Sequence, residues 1–226
     1  IDYGPCAFID HYDPKTVFSS IDNFGRYAFI NQPPITKWNL ARFAECLIPL
    51  IDKDKDKAIK IATETINNFE KIYEVKWLNM MRDKLGLFGE DKNDKKLIDD
   101  LLIWMENNKA DYTNTFCHLM NIKINKNEIY NGKNFINWSK NWQKRQSINN
   151  NSKEKHLSLM KNSNPSVIPR NHKVEEVLTA ANENNFEIMN KFLSILKKPY
   201  NNQKNIYDFQ SPAKSGNEKY QTFCGT

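Results

Sequence analysis

From residue 35 onward, apolar side chains recur at three- and four-residue steps, and little in the chain can break that rhythm. Gly 7 and Pro 9 make 16 of 226 residues, about 7% against roughly 12% in average usage. Long helices are what such a chain can build. Ile35, Trp38, Leu40, Phe43, Ala44, Leu47, Ile48 and Ile51 share one face between Thr36, a candidate N-cap, and the charged stretch 52–57, which predicts a buried first helix. From Asp56 to Leu85 the same spacing continues through Ala58, Ile61, Ala62, Ile66, Phe69, Ile72, Trp77 and Met81 without a Pro or Gly. It predicts one helix of about thirty residues, stopped by Gly86 and Gly89. Further helices are expected to open at Asn93 or Asp94 and at Asp111, around Phe135, Trp138 and Trp142, and after Pro169. A last one carries Phe186, Met189, Phe192, Leu193 and Leu196 and ends before Pro199. Helices from Thr36 to Leu196 are expected to pack as one continuous unit, with Trp38, Trp77, Trp104, Trp138 and Trp142 in the core.

The first 34 residues differ. Gly4, Pro5, Pro14, Gly25, Pro33 and Pro34 punctuate short aromatic stretches, which predicts an extended, loop-rich lead. Three segments follow from this: 1–34 extended, 35–199 helical, and 200–226 a tail without periodicity, expected as a surface strap or disordered. No fixed-period repeat emerges, which removes solenoids. No apolar run approaches the roughly 18 residues of a membrane span. Lys+Arg 33 against Asp+Glu 27 leaves +6, and the two signs are interleaved. Nucleic-acid binding needs a concentrated basic face and is not favoured. Cys6, Cys46, Cys117 and Cys224 form no CxxC pair and no zinc spacing, as expected in a reducing compartment. The sequence opens on Ile1 with no Met and no signal-peptide pattern, which reads as a chain cut from something longer.

Asp2-Tyr3-Gly4 is the string richest in chemistry. An Asp, an aromatic and a Gly at the head of an extended loop is how protein kinases present a carboxylate to the Mg²⁺ that bridges nucleotide phosphates. The carboxylate supplies hard oxygen ligands and the glycine permits the turn. Longer strings accompany it: Phe18-Ser19-Ser20-Ile21-Asp22 with Gly25-Arg26-Tyr27-Ala28, then Asn31-Gln32-Pro33-Pro34-Ile35 and Trp38-Asn39-Leu40-Ala41-Arg42. Later come Lys84-Leu85-Gly86-Leu87, Asp111-Tyr112-Thr113-Asn114-Thr115-Phe116, and Asn164-Pro165 followed by Ile168-Pro169-Arg170-Asn171-His172. In order and spacing these strings resemble the selenoprotein O (SelO/YdiU) family of kinase-like proteins.

That resemblance implies a mainly α chain, the helical C-lobe of a protein kinase-like fold with a short extended or β lead. It implies an enzyme that transfers AMP from ATP to Ser, Thr or Tyr hydroxyls of protein substrates and releases pyrophosphate. Asp2 is then the residue that binds Mg²⁺ or Mn²⁺ and contacts the nucleotide. The family's Gly-rich loop, nucleotide-binding Lys, acidic partner and catalytic-loop Asp-Asn pair are expected upstream of Asp2, so no catalytic residue is assigned within the chain. Residues 1–226 alone are therefore expected to be silent, because polyphosphate chemistry depends on several cations holding the phosphates in line. Cys224 stands third from the end, where animal members carry selenocysteine and many bacterial ones cysteine. Cys6 is its candidate redox partner, and two unpaired thiols are the alternative.

Other candidates have blander readings. Adjacent residues of Asp10-His11-Tyr12-Asp13 point to opposite faces of an extended strand, which predicts surface polar contacts instead of a metal cluster. His118 is expected as a partly buried, satisfied histidine, and His172 as a structural hydrogen-bonding group. Arg26, Arg42 and Arg170 could reach a phosphate or a protein substrate, or clamp a loop. The competing reading of the whole is a non-catalytic helical scaffold or the remnant of a split gene, distinguished by what the upstream reading frame encodes. RNA binding would require steep salt dependence. Abundant Asn, Lys and Ile suggest an AT-rich genome and hence a bacterial, cytoplasmic setting, with no membrane partner.

Overall fold

The computed structural model describes residues 8–124, 128–201, 203 and 206–213. They fall into two compact units: residues 14–79 form one, and residues 8–13 with those from Met80 onward form the other. The helical part is thus divided where the sequence pattern suggests continuity. Among the described residues, no helix is long and apolar enough to cross a membrane.

In the unit of residues 14–79, Asp22 closes a tight turn by accepting the Arg26 and Tyr27 N–H groups, both at 2.8 Å. Gly25 supplies the positive φ of 64° that this turn requires. Helix α1 (Gln32–Ile51) follows. It starts four residues before the expected Thr36, because Pro33 and Pro34 fit a first turn whose N–H groups have no intrahelical acceptor. Thr36 lies inside the helix, its hydroxyl donating to the Gln32 carbonyl at 2.8 Å.

Asp54 caps α2 (Lys55–Asn67) by accepting the Asp56 and Lys57 N–H groups. The single long helix expected from Asp56 to Leu85 is instead two. α2 ends at Asn67, Asn68 turns its N–H back to Thr65 and Ile66, and α3 (Phe69–Lys84) begins at the next residue. The break falls at Asn67-Asn68, residues of low helix propensity, with no Gly or Pro at the site. Ala58 and Ala62 of α2 are buried, as is Ala28. By contrast α1 buries none of its residues: Trp38 is 48% and Leu50 81% exposed. The buried first helix is therefore corrected to an exposed one, with Trp38 outside the core. An apolar groove of about 860 Å³ separates α1 from α2, floored by Ala41, Ile48, Ile59, Ala62 and Ile66.

The other unit holds the larger core. The last turn of α3 leads through Gly86 to α4 (Asp94–Asn107), α5 (Tyr112–Leu119) and α6 (Lys133–Gln146). Gly86 has φ +65°, and a Cβ there would lie 2.8 Å from the His156 carbonyl, so only glycine fits. Asp94, fully buried, joins these helices: Arg82 Nε donates to it at 2.7 Å and Arg145 Nε at 2.6 Å. Trp104, Trp138 and Trp142 are buried as expected. The indoles of Trp138 and Trp142 donate to the Leu97 and Leu85 carbonyls at 2.9 and 2.8 Å. α7 (Lys153–Ser163) is not among the helices named by periodicity; α8 (Asn171–Asn182) and α9 (Glu187–Leu196) complete those, and a single turn, α10 (Tyr207–Gln210), follows α9. Val167, Val177, Phe192, Ile195, Ile206 and Phe209 form one apolar cluster. Within the stretch 206–210, Ile206, Phe209 and Gln210 are buried while Tyr207 and Asp208 face out, so this part of the tail contributes to the core.

Candidate functional site

Asp2, the one residue assigned to metal and nucleotide, lies outside the described residues, as do Cys6 and Cys224. What the structure does describe is how the chain that follows Asp2 is fastened. Residues 10–12 run antiparallel to residues 110–112. Tyr12 N–H donates to the Ala110 carbonyl at 2.9 Å, and Tyr112 N–H to the Asp10 carbonyl at 2.8 Å. The pair His11 and Asp111 forms the only β-bridge among the described residues, so the expected extended lead is present with almost no strand. Tyr12 stacks on Tyr112 with ring centroids 5.8 Å apart. Burial, aided by Glu106, Asp99 and Asp13, raises the Tyr12 pKa above its ordinary value.

Side chains lock the same junction. Asp111 is the N-cap of α5, its Oδ1 accepting the Asn114 N–H at 2.7 Å. Arg170, 1% exposed, donates from Nη1 and Nη2 to both Asp111 oxygens at 2.7 and 3.2 Å, and from Nη1 to Asp10 Oδ1. Burial alone would lower the Arg170 pKa, but the Asp111 and Asp10 carboxylates outweigh it and raise it, so the guanidinium stays charged. Behind it, His172 has its pKa lowered, chiefly by burial, and its Nδ1 is buried without a hydrogen-bond partner. Alternation along 10–13 thus operates as expected, but Asp10 and Tyr12 turn toward the helices instead of making surface contacts.

The remaining candidates separate. Arg170 clamps. Arg26 and Arg42, in the other unit, lie over the Trp38 ring at 4.7 and 5.5 Å, and Arg42 also pairs with Glu45 at 2.5 Å. His118 is structural: it stacks on Tyr130 at 4.0 Å, and burial lowers its pKa. Cys117 is buried and its thiol is pushed up to about 12, mainly by burial, which leaves it inert as a nucleophile. Among the described residues, no cluster of His, Cys, Asp or Glu could hold a metal ion.

Sequence reasoning named Lys84 and Asp10 but missed what surrounds them. Lys84 is buried above the Phe116 and Tyr112 rings, at 4.3 and 5.3 Å. Burial lowers its pKa to about 8, with Cys117 opposing. Asp10 offered no local signal, because its partner is 160 residues away. Asp111 and Arg170 both stood in the quoted motifs, yet nothing in those motifs joins one to the other.

The model of the family described as protein adenylyltransferase SelO matches residues 1–197, and the chain belongs to that family. The protein nucleotidyltransferase YdiU of Pelagibacter ubique is 59% identical over 226 residues, covering 100% of this chain and 47% of the relative. The proteins of the same name from Alkaliphilus metalliredigens and Nitrosococcus oceani are 48% and 47% identical, again over 100% of this chain and 46% of each relative. The chain spans about half the length of the curated relatives it matches.

Proposed function

We propose that this chain is the helical C-lobe of a kinase-like protein adenylyltransferase, which moves AMP from ATP to a Ser, Thr or Tyr hydroxyl of a protein and releases pyrophosphate. The observation that carries the proposal is identity of up to 59% along the whole chain with proteins named as nucleotidyltransferases. The clamp at Asp10, Asp111 and Arg170 is compatible with it, because it ties residue 10, eight positions after Asp2 in the sequence, to the helical unit.

In this reading Asp2 holds Mg²⁺ or Mn²⁺, whose preference for oxygen donors suits a carboxylate. Bound there, the metal would neutralise phosphate charge as pyrophosphate leaves. The chain's own task is to fix the lead segment and exclude its local unfolding. Residues 1–226 alone bind MgATP no more tightly than millimolar in this proposal, because one carboxylate cannot align a triphosphate.

Two measurements test the proposal. The polypeptide carrying this chain, incubated with protein substrates, should leave label on protein from ATP marked at the α-phosphate and none from ATP marked at the γ-phosphate. Asp2→Asn should abolish that labelling. Retention of γ-label would make it a phosphotransferase, and micromolar titration of the 226 residues with MgATP would refute the shared-site reading.

A further inference from the structure

Of the features that the proposed function leaves unexplained, helix α1 carries the most. Its only charged residues are Lys37, Arg42 and Glu45, and apolar side chains occur on every side of it. By helical spacing, Ala41, Ala44 and Ile48 fall on the side that packs on α2, and Phe43, Cys46 and Leu50 fall on the opposite side. A helix that is apolar all round belongs inside a core. Phe43 is nevertheless 60% and Leu50 81% exposed. We infer that α1 is the centre of a core whose second half comes from the segment of the same polypeptide by which the relatives exceed this chain, seated over Phe43, Cys46 and Leu50.

The surroundings of α1 lead to the same conclusion. More than half of the exposed large apolar side chains among the described residues lie in the unit of residues 14–79, which buries only Ala28, Ala58 and Ala62. Three buried alanines offset little of the entropy lost in ordering such a unit. The curated relatives are about twice as long as this chain, so a protein of that length holds about as many residues again. That is enough chain to complete a core, and being tethered it meets α1 at a higher effective concentration than a separate partner would. The inference rests on membership of the family and not on the reaction proposed above, so either can fail alone.

The test uses the polypeptide that carries this chain. Phe43→p-benzoylphenylalanine keeps an aromatic at the site and, on irradiation, bonds to what lies against it. Mass spectrometry should place that bond in the same polypeptide, outside the 226 residues. A bond to a second copy or to a separate polypeptide overturns the inference, as do bonds confined to the 226 residues and irradiation that yields none. Leu50→Asp reads the same cover independently. It should lower the thermal midpoint by roughly 5 °C or more. Loss of the folded protein counts as that lowering, since a side chain already in water tolerates a carboxylate. A midpoint within about 2 °C of wild type means an open site and overturns the inference.

Discussion

Lys84 is an ammonium held against two aromatic rings in the core, with no carboxylate partner among the described residues. Its pKa falls from 10.5 to about 8 because burial penalises the charged form. The folded state therefore binds fewer protons than the unfolded state between those values, and stability should climb as pH rises through that window. Below pH 8 the cost of the buried charge is present in full. Lys84→Met keeps the stem and removes the charge, and should stabilise the protein by about 1–3 kcal/mol at pH 7. Urea denaturation at pH 7 and pH 10.5 checks it: the gap between variant and wild type should narrow at the higher pH. A gap that is constant with pH would mean that the amine is not charged in the core. Residues of this kind are hard to read in sequence. A lysine four positions after Met80 on a polar helix face looks solvated, and it is the Tyr112 and Phe116 rings of α5, distant in sequence, that cover it. Asp111, whose role as a cap depends only on the residues that follow it, was legible.

Among the elements, those with local punctuation followed their sequence signals. Asn93 precedes α4, Asp111 caps α5, and the prolines at 165 and 169 separate α7 from α8. The break at Asn68 did not, because an Asn pair ends a helix only when tertiary contacts prefer the bend. The apolar face of α1 was legible as a face, yet periodicity cannot say how far it is covered: within the unit of residues 14–79 it packs on α2, which leaves Ala44, Leu47 and Ile48 half-buried and Trp38, Phe43 and Leu50 exposed. The start of α2 offers a clean test. Asp54 Oδ1 accepts two backbone N–H groups at 2.9 and 3.2 Å, and Asp54→Ala should cost about 1 kcal/mol. Amide exchange should quicken at Asp56 and Lys57 and not in α5. An unchanged pattern would mean that water satisfies that end equally well.

At the scale of the molecule, electrostatic stability is concentrated where charge is buried. Burial presses the Asp94 pKa upward, but hydrogen bonds from Arg145, the Asp91 N–H and Arg82 prevail and hold it below the ordinary 3.8. A depressed carboxylate contributes fully above pH 3.8 and loses its contribution as pH falls through the folded value. Asp94→Asn should cost about 3–5 kcal/mol near neutrality, since Arg82 and Arg145 are left buried without their carboxylate. That deficit should shrink as the pH is lowered below 3.8, read as the difference in urea midpoint between the two proteins. A deficit independent of pH would assign the loss to packing.

The Arg170 clamp also imposes an order of events during synthesis. Asp10 and its guanidinium partner are 160 residues apart in the chain. At about 5–20 residues per second, a ribosome needs on the order of ten to thirty seconds to deliver the second after the first. Throughout that interval the nascent lead has emerged without its fastening, and a chaperone or a protease can reach it. Translation that stops short of Arg170 would yield a polypeptide whose Asp10 and Asp111 lack the guanidinium that joins them.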